Sequence, residues 1–392
     1  MTSAALGVAV IGGGMAGRAH AAGYRHATTL FGTDRPDVDL VAVADANAAV
    51  ADDTAKRYGY RRAEYSWQAI AEAPDIDVVS VVVGNHLHRE IVEGLLAAGK
   101  HVLCEKPLAA AVEDAEAMVA AAAVAESQSA VGYTYRRAPA IEAIRREVAS
   151  GRLGEVLHFH GHYWCDYALD PTAPMTWRYR GGPGTGALSD IGSHIIDLGE
   201  VLAGPVVEVG GAVLTTVVPE RPVPLGVTYG HTKAAVGDET AAVENEDIVT
   251  FSARFASSAV GTFSISRVAH GLPDGLGFEV FATKGRAAFD QCRPSEFSIS
   301  TDDLDPTVNG SRRVVIGPQH PYIAGGLPMD AGGVGHGKAE YFAYQARAFL
   351  DQVAGIGDLG PLPTFAHGLR GMQIAAAVVE SARSGGAAVK IG

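Results

Sequence analysis

The first 134 residues alternate short β-branched runs with alanine-rich segments, and this alternation is the feature that most constrains the fold. A strand followed by a helix, several times over, predicts βαβ units that form a parallel sheet covered on both faces. We therefore expect a doubly wound α/β domain at the N-terminus. The predicted strands are Gly7–Ile11, Leu40–Ala44, Val78–Val83, His101–Cys104 and Ala130–Thr134, and helices are predicted near 15–27, 47–58, 86–98 and 112–126.

After about residue 150 the pattern changes to longer amphipathic strands, which are typical of an α+β domain built on a large, mostly antiparallel open sheet. We expect two domains, one over residues 1–135 and a second over residues 136–392. The Gly/Pro-rich stretches 219–238 and 317–337 read as long loops. The predicted strands are Val156–Tyr163, Ile248–Phe255, Ala259–Arg267 and Phe278–Thr283, and helices are expected near 185–203, 336–354 and 365–383.

The composition excludes several classes of protein. The 392 residues carry a formal net charge of −13, and no basic stripe offsets it, which argues against a nucleic-acid partner. The alanine-rich stretch 115–125 is far shorter than the roughly 20 apolar residues of a membrane span. Three widely separated cysteines, read as buried thiols, and the absence of a basic leader predict a cytoplasmic protein.

A glycine motif, Gly12-x-Gly14-x-x-Gly17, lies where the first predicted strand meets the first helix. There a tight turn lets the backbone and the helix N-terminus, with Met15 and Ala16, approach a pyrophosphate. A second match at 355–360 follows a helix and runs into a proline, so its context does not suit a dinucleotide. The first match predicts a dinucleotide site, although three glycines alone are weak support in a glycine-rich chain.

Asp45 stands at the end of the second predicted strand, 28 positions after Gly17. A carboxylate there accepts both ribose hydroxyls and repels a 2′-phosphate, so we expect NAD rather than NADP. The alternative for Asp45 is that it caps the following helix.

The fourth predicted strand is followed by Gly84, Asn85, His86 and His88. Ligands of open α/β sheets bind beyond the carboxyl ends of the strands, so these residues are expected in the cofactor crevice. Capping of the next helix by Asn85 is an alternative. A metal site at the two histidines would need a third ligand that nothing nearby supplies, and we expect no metal.

Glu105, Lys106 and Pro107 follow the fifth predicted strand. Proline disfavours a helical conformation for the residue before it, so Lys106 should be extended at the strand terminus and point its ammonium into the crevice. Glu105 is more simply read as an anchor of the cofactor loop. A solvent-exposed pair of Lys106 with Glu105 is the alternative.

ALSDIGSHIIDL sets Asp190 and His194 four positions apart, so in a helix the two side chains share a face. Histidine is the usual acid or base near neutral pH, and oxidation of an alcohol needs a base for the hydroxyl proton. Asp197 could orient the ring. The alternatives are that Asp190 caps a helix over a buried His194, or that these three residues bind zinc.

Together these motifs resemble the Gfo/Idh/MocA family of NAD(P)-dependent oxidoreductases. The resemblance runs through IGGGMAG, NHLH, AGKHVLCEKP, GALSDIGSHIIDL and FATKGRAAF, so it covers nearly the whole chain. It implies a Rossmann domain and a catalytic set of Lys106, Asp190 and His194. In that set the histidine is the acid/base, the lysine positions the substrate and the aspartate binds sugar hydroxyls.

Within the family, NHLH, YRRAP, MTWRY, RVAHG and GPQHPY are similar to the levoglucosan dehydrogenase branch, close to inositol dehydrogenases. That likeness implies NAD-dependent oxidation of a ring secondary alcohol, the C3 hydroxyl in levoglucosan. Two departures are Gly84, where many relatives have proline, and Thr134, where asparagine is common. The residues expected to line the pocket, with ordinary packing as the alternative, are Tyr135, Arg136, Trp177, Arg178 and His320.

We therefore expect an NAD-dependent dehydrogenase for a pyranose, an anhydrosugar or a cyclitol. Residues 1–135 are expected to bind NAD, and residues 136–392 to bind the substrate and form the oligomer. A glycosidase that uses tightly held NAD for transient oxidation is one alternative, and a non-catalytic NAD-binding regulator is another. A homo-oligomer, a dimer or a tetramer, is expected because one face of the second domain's sheet would otherwise be exposed.

Overall fold

The computed structural model describes residues 5–30, 35–226, 235–302, 307–308, 310–324, 326, 329, 331–357 and 359–392. The chain forms two compact units, Met1–Pro139 with Ile316–Arg370, and Ala140–Val315 with Gly371–Gly392. Each unit is therefore discontinuous in sequence, whereas the predicted domains, 1–135 and 136–392, are contiguous. The functions expected of those two domains stay predictions.

The described residues of the first unit contain a six-stranded parallel sheet in the order β3-β2-β1-β4-β5-β6. This is the order of a Rossmann fold, and it confirms the doubly wound sheet. The middle strands are fully apolar or nearly so because helices cover both faces. The elements are β1 Leu6–Ile11, α1 Met15–Ala27, β2 Val38–Ala44, α2 Ala48–Tyr58, β3 Arg62–Glu64, α3 Trp67–Glu72, β4 Val78–Val81, α4 His88–Ala97, β5 His101–Cys104, α5 Val112–Val124 and β6 Ser129–Val131.

Three local differences separate these elements from the predicted ones. The strand β3 and the helix α3 were not predicted because their three and six residues are too few to show a periodicity. Strand β6 ends at Val131, and Thr134–Arg137 instead form a 3₁₀ turn. A second 3₁₀ turn, Asn85–Leu87, precedes α4.

The C-terminal part of the first unit packs helix α8, Lys338–Val353, against α1. The contact is close at Gly23, where a Cβ atom would lie 2.9 Å from the carbonyl oxygen of Phe342. Glycine at this position therefore lets the two helices approach.

The buried side chain of Arg137, in the 3₁₀ turn after β6, also binds this C-terminal part of the first unit. Its guanidinium donates to the hydroxyl of Tyr322 at 3.0 Å and to the carbonyl oxygens of Leu359, Gly360 and Pro361. A planar five-donor group suits such a cluster of acceptors. Residues 316–370 thus complete the first unit.

In the described residues of the second unit, nine strands form one sheet in the order β16-β15-β14-β13-β7-β12-β11-β8-β17. All neighbours are antiparallel except β7 and β12, which confirms the mostly antiparallel sheet. The elements of this sheet and its helices are α6 Pro139–Ala149, β7 Val156–Trp164, α7 Ser193–Ala203, β8 Val206–Thr215, β11 Ile248–Phe255, β12 Val260–Ser266, β13 Gly275–Ala282, β14 Gly285–Asp290, β15 Glu296–Thr301, β16 Arg312–Val315, α9 Phe365–Arg383 and β17 Val389–Lys390.

The stretch 219–238 is not only a loop, because β9 Glu220–Pro224 pairs with β10 Val236–Ala242 in a separate two-stranded sheet. The strand β9 was not predicted because its two prolines are typical of loops, although proline is tolerated on strands with an unpaired edge. Residues 227–234 of this stretch lie outside the described residues, as do 325, 327, 328 and 330 of the stretch 317–337.

Two glycines seat helix α7 on the sheet. A Cβ atom on Gly161 of β7 would lie 2.7 Å from Cγ1 of Ile195, and one on Gly199 would lie 2.9 Å from Cζ of Phe263. The helix that carries His194 is therefore fixed by close packing against apolar side chains.

The three cysteines, all described, are not joined in a disulfide. Cys104 and Cys165 are buried as expected, but Cys292 is exposed in the turn after β14, so the reading of that thiol as buried is wrong. Within the described parts of the chain, none of the helices has the length and apolar character needed to span a bilayer.

Candidate active site

The glycine motif forms a tight turn between β1 and α1. Gly12 has φ +105°, and a Cβ atom there would lie 2.1 Å from the carbonyl oxygen of Val82. A Cβ atom on Gly17 would lie 1.7 Å from the carbonyl oxygen of Gly12, whereas one on Gly14 would meet nothing within 4 Å. Two glycines are thus required by packing, and the third leaves open space at the helix N-terminus, where the pyrophosphate is predicted to bind.

The second glycine match lies in a different setting. Gly355, Gly357 and Gly360 follow α8, and a Cβ atom on any of them would meet open space. No strand leads into this stretch, so it cannot form the turn that a dinucleotide needs.

The carboxylate of Asp45 is bound to the glycine turn. Its Oδ2 accepts a hydrogen bond from the N–H of Gly13 at 2.8 Å, and its Oδ1 accepts one from Asn47 at 2.9 Å. Asn47 is the residue that caps α2, through Oδ1 to the N–H groups of Ala49 and Val50. The alternative reading of Asp45 as the helix cap is therefore wrong, and its position beside the turn suits a ribose ligand.

The loop after β4 contains one exposed and one buried histidine. His86 is exposed, whereas the ring nitrogens of buried His88 face the carbonyl oxygens of Leu108 at 3.1 Å and Val83 at 3.2 Å. Burial lowers the pKa of His88. The side chain thus links two loops of the crevice, and direct cofactor binding by His88 stays a prediction.

The turn after β4 contradicts the alternative in which Asn85 caps the next helix. Gly84 precedes the 3₁₀ turn with φ −63°, and Asn85 is its first residue. The residue at the N-cap position of α4 is Leu87, and no side chain caps that helix. The reading of Asn85 as a helix cap is therefore wrong.

Glu105 is buried, and it does not form the exposed pair with Lys106 that was the alternative reading. Its Oε1 lies 2.9 Å from Nε2 of His20, and its Oε2 accepts the backbone N–H of Lys106 at 3.1 Å. Burial alone would raise the pKa of Glu105, but the hydrogen bond and charge of His20, helped by Lys106, hold this pKa below its usual range. The peptide bond between Lys106 and Pro107 is cis, which the sequence did not reveal.

His20 belongs to a buried hydrogen-bonded network that sequence reasoning missed. Its Nδ1 lies 3.1 Å from Oγ of Ser80, and the hydroxyl of Tyr24 lies 3.0 Å from the same oxygen. The network joins α1, β4 and the end of β5 beneath the expected cofactor crevice. A histidine one turn after Gly17 inside an otherwise apolar helix face was the signal that could have indicated it.

A second polar cluster, in the other unit, surrounds Asp190. This residue lies in a π-helical segment, Leu188–Gly192, that runs into α7, and π-helical turns often occur at functional sites. The hydroxyl of Tyr167 donates to Asp190 Oδ2 at 2.7 Å, and Nε of Arg178 lies 3.8 Å from that oxygen. The expected hydrogen bond between Asp190 and His194 stays a prediction.

Arg178 and its neighbours are stacked on aromatic rings. The guanidinium of Arg178 lies 4.5 Å from the ring centre of Trp177, whose side chain is exposed. The ring of buried Tyr179 has Arg221 at 4.0 Å and Arg267 at 4.7 Å. Such cation–π contacts order the segment that presents Arg178.

Four consecutive residues, Glu244–Asp247, hold the glycine-rich loop before Asp190. Glu244 accepts from the N–H of Gly181 at 2.7 Å, and Glu246 accepts from Gly184 and Leu188 at 2.7 and 3.0 Å. Burial raises the pKa of Glu246. This run before β11 was not singled out from the sequence, although an acidic run entering an apolar strand was a usable signal.

Other residues of the same run hold the backbone of Arg178, directly or through Arg267. Asn245 Nδ2 donates to the carbonyl oxygen of Arg178 at 3.0 Å, and the fully buried pair of Arg267 with Asp247 has a separation of 2.7 Å. Arg267 also donates to the carbonyl oxygen of Arg178 at 3.0 Å. The carbonyl oxygen of Arg178 is therefore held by two side chains, Asn245 and Arg267.

The remaining predicted pocket residues lie in the first unit. Tyr135 is buried beside Tyr341, with Nζ of Lys338 5.0 Å from its ring centre. Arg136 is partly exposed over the ring of Tyr133, and His320 packs edge-on against Tyr322. These contacts fit ordinary packing, and roles in substrate binding stay predictions.

Two further observations concern metal ligands and cavities. Within the described ranges no group of three His, Cys, Asp or Glu side chains is arranged to hold a metal ion. A cavity of about 620 Å³ opens on the sheet of the second unit, and its wall includes His160, Trp164 and Arg286. None of the predicted site residues lines that cavity, so the polar cluster at Asp190 is the better candidate site.

Two family models match the chain. One is described as the oxidoreductase family with an NAD-binding Rossmann fold and matches residues 6–133. The other is described as the GFO/IDH/MocA C-terminal domain and matches residues 141–288.

Named relatives and solved structures agree with these matches. Levoglucosan dehydrogenase of Pseudarthrobacter phenanthrenivorans is 36% identical over 381 residues, 96% of each chain. Inositol 2-dehydrogenase of Rhizobium meliloti is 30% identical over 284 residues, 72% of this chain and 76% of that one. A levoglucosan dehydrogenase structure in complex with NADH and levoglucosan has a TM-score of 0.88 at 34% identity, and covers 98% of this chain and 99% of that one.

Proposed function

The chain belongs to the GFO/IDH/MocA family of NAD-binding oxidoreductases, and on this premise we propose that it oxidises a ring secondary hydroxyl of a sugar to a ketone. The substrate class is a pyranose, an anhydrosugar such as levoglucosan, reacting at its C3 hydroxyl, or a cyclitol. The observation that carries the proposal is the likeness to levoglucosan dehydrogenase along 96% of the chain. It is supported by the presence of Lys106, Asp190 and His194.

NAD is the proposed cofactor, and no metal is part of the proposal. The open space at Gly14 and the carboxylate of Asp45 beside the N–H of Gly13 fit a dinucleotide that carries free ribose hydroxyls. Bound there, NAD⁺ supplies the acceptor for a hydride. The residues assigned to this site are Gly12, Gly14, Met15, Ala16, Gly17, Asp45, Gly84, Asn85, His86, His88, Glu105, Lys106 and Pro107.

His194 is assigned the role of acid/base. It takes the proton of the reacting hydroxyl as the carbon–hydrogen bond breaks, and it returns a proton when a ketone is reduced. It occupies the first turn of α7, which Gly161 and Gly199 seat on the sheet. A base on a packed helix keeps its geometry between turnovers.

Lys106 and Asp190 are assigned to the substrate. The ammonium of Lys106 stabilises the negative charge that develops on the reacting oxygen. The carboxylate of Asp190 accepts hydrogen bonds from sugar hydroxyls. The other residues proposed to bind the sugar are Tyr135, Arg136, Trp177, Arg178 and His320.

The test is a screen for NADH formation with NAD⁺ and levoglucosan, myo-inositol, glucose and a methyl glucoside. We expect an increase of NADH absorbance with at least one of these compounds. If a protein that binds NADH forms no NADH with any of the four compounds, the result would contradict the proposal. Cleavage of a glycoside without net NADH would contradict the proposed dehydrogenase activity as well.

Two wider properties complete the proposal. We assign a homo-oligomer, a dimer or a tetramer, because the sheet face of β7 opposite α7 carries partly exposed His160, His162 and Trp164. Light scattering on the purified protein would measure its mass in solution. The location proposed for the protein is the cytoplasm.

A further inference from the structure

We infer that Tyr167 is a positioning residue for the proposed reaction, and that its hydroxyl holds Asp190 in the orientation in which this carboxylate binds the sugar. The phenolic oxygen lies 2.7 Å from Oδ2 of Asp190, the length of a strong charge-assisted hydrogen bond. The inference rests on the proposed function, because it assigns Tyr167 a task only if Asp190 contacts the substrate.

The backbone around Tyr167 is fixed on both sides. The N–H of Cys165 donates to the carbonyl oxygen of Ser266 at 2.7 Å, and the N–H of Ala168 donates to that of Arg267 at 3.0 Å. The carbonyl oxygen of Ala168 accepts from the buried guanidinium of Arg221. A side chain on such a segment keeps its place with little entropic cost at each turnover.

A cation reinforces the same oxygen of Asp190. Nε of Arg178 lies 3.8 Å from Oδ2, and the carbonyl oxygen of Arg178 is bound by both Arg267 and Asn245. The phenol of Tyr167 and the guanidinium of Arg178 thus converge on one carboxylate oxygen. They come from two segments that Arg267 ties to the end of β12.

The tyrosine is suited to act as a donor. Burial and the neighbouring carboxylate of Asp190 raise its pKa well above the usual value, so the phenol stays protonated through the physiological range. Its ring packs against the cluster formed by Ala168, Met175 and Tyr179. Phenylalanine would keep this packing and lose the hydrogen bond to Asp190.

The expected consequence of Tyr167→Phe is a change in sugar binding without a change in cofactor binding. A carboxylate that loses its fixed donor samples other orientations, so KM for the sugar should rise and kcat/KM fall about tenfold. The affinity for NADH should not change, because Tyr167 lies outside the NAD-binding family match at residues 6–133.

The experiment measures initial rates with NAD⁺ and levoglucosan, or with the sugar that the screen identifies, together with NADH binding and Tm. The matched control is Tyr163→Phe, because Tyr163 donates to Asp274 at the same 2.7 Å, and phenylalanine keeps the ring whose centre lies 6.2 Å from that of His194. Both variants should lose similar stability, but only Tyr167→Phe should raise KM for the sugar.

A double-mutant cycle separates positioning from a general structural effect. In an Asp190→Asn background, calorimetric binding of levoglucosan to the NADH complex should fall no further when Tyr167→Phe is added. An unchanged KM in Tyr167→Phe, an equal rise in the Tyr163→Phe control, or full additivity with Asp190→Asn would overturn the inference alone. A wild-type protein that oxidises no sugar would overturn the proposed function, and the inference with it.

Discussion

His20 and Glu105 form a buried pair, 2.9 Å apart, that joins the helix after the glycine turn to the loop that carries Lys106. The carboxylate also accepts the backbone N–H of Lys106. Stability of the first unit and placement of the proposed catalytic lysine therefore depend on the same two side chains. Gly132 packs so closely that a Cβ atom there would lie 2.7 Å from the carboxylate, so the pair has little freedom to move.

Glu105→Gln should destabilise the protein at neutral pH by about 3 kcal/mol, since it leaves a buried histidine without its charged partner. The pKa of Glu105 in the folded protein is lowered from 4.5. A lowered folded pKa gives stability that is fully present above the unfolded pKa and is lost as pH falls through the folded pKa. The difference between wild type and variant should therefore shrink below about pH 4.5.

Urea unfolding at several pH values between 3 and 7 measures this difference. The control is Glu93→Gln, because Glu93 forms an exposed pair with Arg89 and should contribute less than about 1 kcal/mol at any of these pH values. A difference that stays constant from pH 7 to pH 3 would rule out a stabilising carboxylate at Glu105.

Gly14→Ala and Gly17→Ala should separate cofactor binding from folding. A Cβ atom on Gly14 meets open space at φ −66°, so the fold should tolerate alanine while NADH affinity falls roughly tenfold. A Cβ atom on Gly17 would overlap the carbonyl oxygen of Gly12, so this variant should lose about 4 kcal/mol or fail to fold. Thermal unfolding and NADH fluorescence titration measure both effects, and a stable Gly17→Ala protein would be inconsistent with the turn described.

Asp45→Ser should relax the preference for NAD. The carboxylate beside the N–H of Gly13 repels a 2′-phosphate, so its removal should raise the ratio of kcat/KM for NADP⁺ over NAD⁺ about tenfold or more. Asp53→Ser is the control, since Asp53 pairs with Arg57 on the surface of α2. An unchanged ratio in Asp45→Ser would remove this carboxylate from cofactor selection.

Lys106→Ala should reduce kcat roughly 10²- to 10⁴-fold, whereas NADH affinity should fall far less because the other residues assigned to the NAD site remain. The expected loss follows from the missing positive charge at the reacting oxygen. Lys56→Ala, on the exposed face of α2, should behave as wild type. Stopped-flow rates with the sugar found in the screen test the pair, and unchanged turnover would exclude Lys106 from the mechanism.

The sequence predicted the ends of β1, β2 and β5 correctly because the residues that follow these strands are local signals. Gly12, Asp45 and Lys106 each follow an apolar run within a few residues, and parallel strands bring such positions to one edge. The doubly wound sheet was therefore predictable from alternation alone. The mostly antiparallel second sheet followed from its longer amphipathic strands.

Contacts between distant and individually ordinary residues could not be predicted. Tyr167 and Asp190 are 23 positions apart, and His20 and Glu105 are 85 apart. Nothing in a single sequence pairs them, because a buried hydrogen bond leaves no periodicity. The strand β9 was missed for a different reason, since its two prolines are typical of loops.

The return of residues 316–370 to the first unit has a consequence for how the protein is made. The face of α1 that α8 covers stays bare while the ribosome synthesises the 176 residues between Pro139 and Ile316. At roughly 5–20 residues per second this takes on the order of ten seconds or more, during which apolar surface is open to chaperones. If residues 1–135 were produced alone, the face of α1 that α8 normally covers would stay exposed. A shortened gene should therefore yield aggregates rather than a working nucleotide-binding domain.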